Sequence, residues 1–453
     1  MGQNRSSRGV LLPPFLVHPP GLGSSMRILF VAHGYPPSEV AGTERHVEAL
    51  AQHARRRGHT VQVVAATRSP ARKQYATFTE AVDGIEIVRV VNNVPTRSLA
   101  HLESDRVVDR VMARLQKDFR PDVVHLHHLQ FLSSTTAWLA PLVVTLHDEW
   151  FWCAAGGLGI REDGTICSGP EPIECSSCAA AWRPTPGRGT RLLSSLAGRL
   201  SPVVSPERLH WMWDRVPQKL RPRPARGVGP ASPPSAARNR NLAMARVLAS
   251  ARTVLSPSAH LADRCTEITE TPVEVVRHGL DDFWFAGRAD TPRTHVLFLG
   301  TIAAHKGPGQ VVNAWRVACP DQRPPLRMHG PVQDPSLTKG HPIGSVLDRA
   351  GVRAALDGAR VLVMGSTWPE NAPLVVLEAR ARGCPVVAPS IGGLPELITH
   401  RDGRLFPPGD EDALAAALKS VLDVPAWSPR APPTLARQAD RILDTLDAAR
   451  RQG

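Results

Sequence analysis

Two glutamates eight positions apart, Glu370 and Glu378, bracketed by short apolar runs and followed by Gly392–Gly393, constrain this chain more than any other feature. Val361–Met364 and Val386–Ala388 have the length and composition of strands buried on both faces, as in parallel sheets. Between them, Asn371 is placed to cap a helix whose first turn tolerates Pro373, and Gly383 with Pro385 ends it. Glu370 then stands just ahead of a helix N-terminus, with Glu378 about two turns along. At a rise of about 1.5 Å per residue the carboxylates lie roughly 12 Å apart along the axis. Two carboxylates acting on one bond need about 5–9.5 Å, so this pair does not share a reacting bond. The spacing suits two hydroxyl-rich ends of one ligand, with a diphosphate between them at the helix N-terminus. A sugar nucleotide has that shape. The plain alternative, an amphipathic helix with two solvated glutamates, explains the pair but not the glycines.

Glu370 and Glu378, with Gly392–Gly393 and Pro395–Glu396 after them, resemble the donor-site signature of family 4 glycosyltransferases of the GT-B fold. The resemblance implies an α/β protein of two facing Rossmann-like domains with a sugar-nucleotide donor in the cleft. It implies transfer of the sugar to an acceptor with retention of configuration, Glu370 touching the sugar and Glu378 the ribose. Asn371, Ala372, Pro373 and Leu374 fall between them on the donor. The loop Gly34–Gly42 resembles the family's first glycine loop and puts Gly42 at the ligand, although Ala41 stands where a second glycine is common. The loop Gly300–Gly307 resembles the family's second. Lys306 is kept there for the diphosphate, as a point charge near a helix start, while Thr301 replaces the usual Arg and Gly365 the usual Pro.

Along the chain, Arg27–Ala32, a helix over Thr43–Arg57 and a strand at Thr60–Ala65 predict a βαβ unit and a parallel sheet. Ile85–Val90, a helix near Asp105–Lys117, Val123–Leu126 and Leu142–Leu146 continue it. The last of these strands runs into His147–Asp148, at the carboxyl end where open α/β sheets place ligand groups. The family's central active-site His falls at His147, and Asp148 is read as orienting its ring or binding acceptor. The alternative is a structural histidine at a strand end. His125, His127 and His128 alternate along a strand and are read as strand-end residues holding no metal. A further sheet is expected from His295–Gly300 on, a helix capped by Asp410 to about Leu422, and a last helix, Leu435–Arg450, packing back across the domains. The expected division is an extension at 1–25, read as disordered, and an N-terminal acceptor domain at 26–180. A basic insertion at 181–252 follows, then the end of the first domain at 253–279, a donor domain at 280–425 and a terminal helix at 426–453. Met1 and Met26 both stand as starts.

Cys153, Cys167, Cys175 and Cys178 follow His147 closely, and the final pair has metal-ligand spacing. Four thiolates in a reduced compartment suit one tetrahedral structural zinc. Cys265, Cys319 and Cys384 read as packing residues. No Asp-x-Asp metal signature is read, since the acidic run Asp410–Glu411–Asp412 opens a helix. Lys306 and helix N-termini are expected to stabilise the leaving diphosphate with no cofactor required for the chemistry. The chain carries a net charge of +13, and only six of its 54 basic residues are Lys. Residues 181–252 hold 13 Arg and one Lys against Glu207 and Asp214, together with ten prolines and the cluster Trp211–Met212–Trp213. That concentration predicts contact with an anionic membrane surface, or else a disordered insertion shaped by genome bias. No apolar run reaches the ~20 residues of a membrane span, so the expected place is the cytoplasm, with peripheral contact on the inner membrane face.

Three rival readings remain open. Another enzyme of the same fold would be a sugar-nucleotide epimerase or a glycan phosphorylase, the latter needing a pyridoxal-binding lysine. A non-catalytic sugar-nucleotide binder is motivated by Thr301 and by the compressed Pro/Gly-rich stretch 330–344. Nucleic-acid binding through the basic segment lacks any recognisable reading motif and is not expected. The donor base, the sugar and the acceptor, lipid-linked or a glycan, are not legible.

Overall fold

The computed structural model describes residues 24–69, 72–93, 99, 104–182, 184–185, 225–226, 233–287 and 292–452. Residues 1–23 and most of 181–252, with Trp211 and Trp213, lie outside these. The first sheet is built from β1 (Arg27–Ala32), β2 (Thr60–Thr67), β3 (Thr77–Val82), β4 (Ile85–Val91), β5 (Val123–Leu126) and β6 (Leu142–Thr145). A two-residue antiparallel pair, β7 (Pro184–Thr185) and β8 (Ala225–Arg226), stands apart. The chain then returns with β9 (Thr253–Ser256) and β10 (Val273–Val275) to give an eight-stranded order β10-β9-β6-β5-β1-β2-β4-β3. A second sheet, with β11 (His295–Leu299), β12 (Leu326–His329), β13 (Ala359–Val363), β14 (Val386–Pro389) and β15 (Gly403–Phe406), is ordered β12-β11-β13-β14-β15 and is parallel throughout. These are two Rossmann-like domains.

The central strands read as unbroken apolar runs because helices cover both faces of each sheet. One face of the first sheet packs Leu29, Val31, Val124 and Val144 against the helices Arg106–Phe119 and Pro234–Ser250. The other packs Ile28, Phe30 and Val63 against Gly42–Arg56 and, as expected, the last helix, Leu435–Arg451. That helix follows the second domain in sequence yet buries Leu435, Ile442, Leu443 and Leu446 in the core of the first. Its entry is zipped to the interdomain passage: Leu280 N–H donates to Pro433 O at 3.0 Å and Leu435 N–H to Leu280 O at 2.7 Å.

One strand departs from the sequence expectation for an identifiable reason. β3 pairs antiparallel at the sheet edge, where its half-exposed, mixed polar residues carry no buried-strand signal. The helix after β9 begins at Ala259, with the Ser258 hydroxyl accepting from Leu261 N. The helix Pro234–Ser250 opens with Pro234 in its first turn. No helix among the described residues is long and apolar enough to cross a membrane.

Candidate active site

Two loops from the second sheet meet where its strands end. After β11, a 3-10 turn at Ala304–Lys306 leads to Gly307, whose φ of +58° favours glycine. A Cβ at Gly307 would collide with the carbonyl of Gly365, and one at Gly365 with that of Gly307. Gly365, standing where the family usually has Pro, therefore lets the loop after β13 lie against the lysine loop, and Thr367 N–H donates to His305 O at 2.9 Å. The approach brings Lys306 Nζ to 2.7 Å from Glu370 Oε1, and the Ser366 hydroxyl donates to the same oxygen at 2.7 Å. Glu370 is 4% exposed. Burial alone would raise its carboxyl, but the Lys306 ammonium and the hydrogen bonds overcome this and hold it below the usual range. The Lys306 ammonium also stands 4.6 Å over the Trp368 ring. Gly392, at φ +60°, lies so close under Glu370 that a Cβ would strike its carbonyl, and Gly393 N–H donates to that carbonyl at 2.7 Å. The glycine pair of the signature thus holds the Glu370 backbone.

Asn371 does not cap the helix. The helix runs Leu374–Ala381 with Pro373 at the cap position and no side-chain cap bond, because Asn371 is engaged across the domains. Its Nδ2 donates to His147 O at 2.9 Å and its Oδ1 accepts from the Ser258 hydroxyl. Ala372 is buried in the core of the second domain. Leu374 and Glu378, one turn apart on one helix flank, line an interdomain cavity of about 500 Å³. Its other walls include Arg45, His46, Asp281, Trp284 and Arg349. Burial pushes the Glu378 carboxyl up to about 7, against the pull of Arg45 and Arg349. Gly42 is the first residue of the helix Gly42–Arg56 and faces open space. Gly300 follows β11, with its N–H donating to His329 O at 3.1 Å. Glu396 bonds the first backbone amides of the helix Ala259–Thr269, at Ala259 (2.9 Å) and His260 (2.7 Å), so it ties the second domain to the first.

On the facing domain, His147 sits at the end of β6 within a histidine cluster. His127 Nδ1 lies 3.0 Å from His147 Nε2, and the His46 ring is edge-on to His147 at 5.4 Å. Burial holds His46, His127 and His147 far below the ordinary histidine range, and takes His125 down to about 3 and His278 to about 4. All are neutral rings at neutral pH. Asp148 does not orient the His147 ring. Its Oδ1 accepts from Trp150 N at 2.8 Å, capping the 3-10 turn Glu149–Phe151, and His128 Nε2 is its histidine neighbour at 3.8 Å. The ring partner is His127, which H-x-H spacing at the end of a strand beside His147 could have signalled. Two further residues escaped the sequence reading. Ser366, four residues before Glu370 in the loop after β13, donates its hydroxyl to that carboxylate. Arg89, a charge inside an apolar strand, holds the first glycine loop by Nη1 to Tyr35 O and Nη2 to Pro36 O, both at 2.9 Å.

Cys153, Cys167, Cys175 and Cys178 line one small cavity of about 20 Å³. Burial pushes the thiols of Cys153 and Cys178 up and raises that of Cys175 to about 11, which favours their protonated forms. Among the described residues, no group of three or more His, Cys, Asp or Glu stands at metal-holding spacing, so a zinc would have to draw the sulfurs together. The loop adjoins the site: Glu149 accepts from Trp152 Nε1 at 3.1 Å and from Arg264 Nε at 3.3 Å, and Gly159 approaches both Glu149 and Pro369.

Residues 293–423 match the family model described as "Glycosyl transferases group 1", and residues 40–165 match "Glycosyltransferase Family 4". Over 445 residues the chain is 25% identical to glycogen synthase of Mycobacterium tuberculosis, covering 89% of this chain and 88% of that one. It is 32% identical over 166 residues to D-inositol 3-phosphate glycosyltransferase of Streptomyces avermitilis, covering 32% of this chain and 35% of that one. In fold it is similar to sucrose-phosphate synthase of Thermosynechococcus elongatus, with a TM-score of 0.59 at 16% identity, covering 94% and 96% of the two chains. Anabaena HepE, solved in complex with UDP and glucose, superposes with a TM-score of 0.52 at 17% identity, covering 94% and 98%. With the paired glutamates, the lysine loop and two Rossmann-like sheets in place, the chain is a glycosyltransferase of family 4 with the GT-B fold.

Proposed function

We propose that the chain transfers a sugar from a sugar nucleotide to an acceptor with retention of configuration. The observation that carries this reading is the contact between Lys306 and Glu370, 64 residues apart in sequence and 2.7 Å apart in the cleft. It stands at the head of a helix whose flank leads down to Glu378. A nucleotide laid along that flank puts its ribose at Glu378 and its diphosphate near Lys306 and the amides of Pro373–Leu374, of which only Leu374 can donate. The sugar then lies between Glu370 and His147. As the bond to the diphosphate breaks, charge grows on the leaving oxygens, and Lys306 stabilises it in place without reorganisation. The Anabaena protein solved with UDP and glucose supports a nucleotide donor. Thr301, standing where the family usually has Arg, removes one cation from the diphosphate site and leaves Lys306 as the side-chain cation that the loop Gly300–Gly307 supplies there. Within the same reading, the four cysteines hold one structural zinc outside the chemistry, and segment 181–252 meets an anionic membrane surface where a lipid-linked acceptor would lie.

The ion pair sharpens the test. In Lys306→Ala, affinity for a nucleoside diphosphate should fall about 10- to 100-fold, the worth of a charge-assisted hydrogen bond. In Glu370→Ala the ammonium is freed from its carboxylate, so diphosphate affinity should hold or rise while transfer is lost. Calorimetric titration with UDP, ADP and GDP, beside a transfer assay, measures both. Equal loss of diphosphate binding in the two variants would contradict these roles.

A further inference from the structure

We infer that His127 is a positioning residue that fixes the tautomer of His147, so that His147 presents an Nδ1–H donor to the cleft. The inference rests on the reading that His147 faces the transferred sugar. β5 and β6 are parallel neighbours, with Leu126 opposite Val144. The chain leaving each strand therefore carries His127 and His147 side by side, and their Nδ1 and Nε2 atoms meet at 3.0 Å. Phe30, stacked on His127 at 5.9 Å, and His46, edge-on to both rings, leave little room for either ring to turn.

Both rings are neutral in this buried setting, so one proton lies between them. Two arrangements are open. If His147 donated from Nε2, His127 would carry its own proton on Nε2, and that atom is buried with no hydrogen-bond partner. If His127 donates from Nδ1, its buried Nε2 is a bare lone pair. An orphaned N–H in a protein interior is rarer and costlier than an under-used acceptor. The second arrangement therefore holds: His127 Nδ1–H donates to His147 Nε2, and the remaining proton of His147 is on Nδ1. His147, unlike His127, is partly exposed, so this donor can be met by water or by a ligand oxygen. His147 is then a hydrogen-bond donor to a hydroxyl or phosphate oxygen and cannot act as a base at that nitrogen. This is the task commonly given to a carboxylate behind an active-site histidine, here given to a second imidazole because Asp148 is turned away to cap the next turn.

The test is the ¹⁵N spectrum of imidazole-labelled, ligand-free protein, with the His147 signals assigned by their loss in His147→Gln. The expected result is a neutral His147 with Nδ1 protonated and Nε2 bare. In His127→Asn, whose amide nitrogen falls near Nδ1, the tautomer should persist. In His127→Phe, which keeps a ring but no donor, it should shift toward Nε2–H, and transfer should fall on the order of 10²-fold, the scale of a lost active-site donor. An Nε2–H tautomer in the unaltered protein overturns the inference, as does an unchanged tautomer in a folded His127→Phe. If His127→Phe does not fold, the unaltered protein and His127→Asn decide the question alone. Absence of transfer by the unaltered protein with every donor tried would count against the transferase reading, and the spectrum would still decide the tautomer.

Discussion

At the scale of the residue, Glu378 is the acidic group of the cleft whose charge the fold leaves balanced near neutrality. Its carboxyl is raised to about 7 by burial, with Arg45 and Arg349 pulling the other way and Asp281 adding to the rise. Because the folded protein holds this proton more tightly than the unfolded chain, the group's contribution to stability is full below about pH 4.5. It is lost as pH climbs through about 7. Ligand binding runs in the opposite sense. Ribose hydroxyls donate best to an ionised carboxylate, so nucleoside diphosphate affinity should rise from pH 6 toward 8, by up to about tenfold per pH unit below the pKa. Glu378→Gln should remove that rise, leaving only the part due to the nucleotide's own phosphate, which both proteins share. Titration of the two proteins across this range measures the difference. Parallel pH profiles would mean that the Glu378 carboxylate does not receive the ligand's hydroxyls.

At the scale of the element, most of the architecture was legible because it rests on local rules. β1 and β5 match their apolar runs residue for residue, and Asp410 caps Glu411–Leu422 through Ala413 N as its position ahead of the apolar period implies. The signature glutamates were legible as a pair. What each one touches was not, since Lys306 reaches Glu370 only because Gly307 and Gly365 let two distant loops meet. Asn371 misled for the same reason: a good local cap is overruled by a contact to the other domain. His127 was visible as a residue but not as the partner of His147, a relation set by strand order. The cysteine loop stands between these cases. Its four sulfurs share a cavity, yet stand apart from metal-holding geometry. Metal analysis of the purified protein should give about one zinc per chain, by the four-thiolate rule. Since each ligating thiol must lose its proton, occupancy should decline on acidification. A chelator should release the metal and speed proteolysis of the 153–178 loop beside Glu149. Metal-free protein with four freely alkylated thiols would end the zinc reading.

At the scale of the whole molecule, charge is distributed unevenly over a frame that the last helix closes. The helix Leu435–Arg451 follows the second domain in sequence and packs in the core of the first, which ties the two halves of the cleft together. The net charge of +13 is almost wholly that of residues 181–252. Not all of that charge is available to a partner: Arg240 is fully buried, its guanidinium 4.8 Å over Trp150 and bonded to the carbonyls of Trp150 and Phe151. On the same helix, Pro234–Ser250, Arg238, Leu242 and Arg246 point outward at four-residue intervals, a basic stripe with one apolar side chain. A basic side chain near an anionic leaflet contributes about 1 kcal/mol, so half of the segment's basic residues would supply roughly 7 kcal/mol, enough for reversible attachment. Trp211 and Trp213, among Arg208, Arg215 and Lys219 in sequence, have the chemistry of headgroup-level anchors. The protein should therefore sediment with phosphatidylcholine vesicles containing phosphatidylglycerol and not with phosphatidylcholine alone. Attachment should weaken as salt shortens the screening length, and should drop when Trp211 and Trp213 are both changed to Ala. Arg238→Ala with Arg246→Ala should weaken it further, whereas Arg240→Ala should disturb folding without a matching specific loss of vesicle binding. Equal sedimentation with neutral and anionic vesicles, or none with either, would remove the membrane from the proposed function and leave 181–252 as an insertion of biased composition.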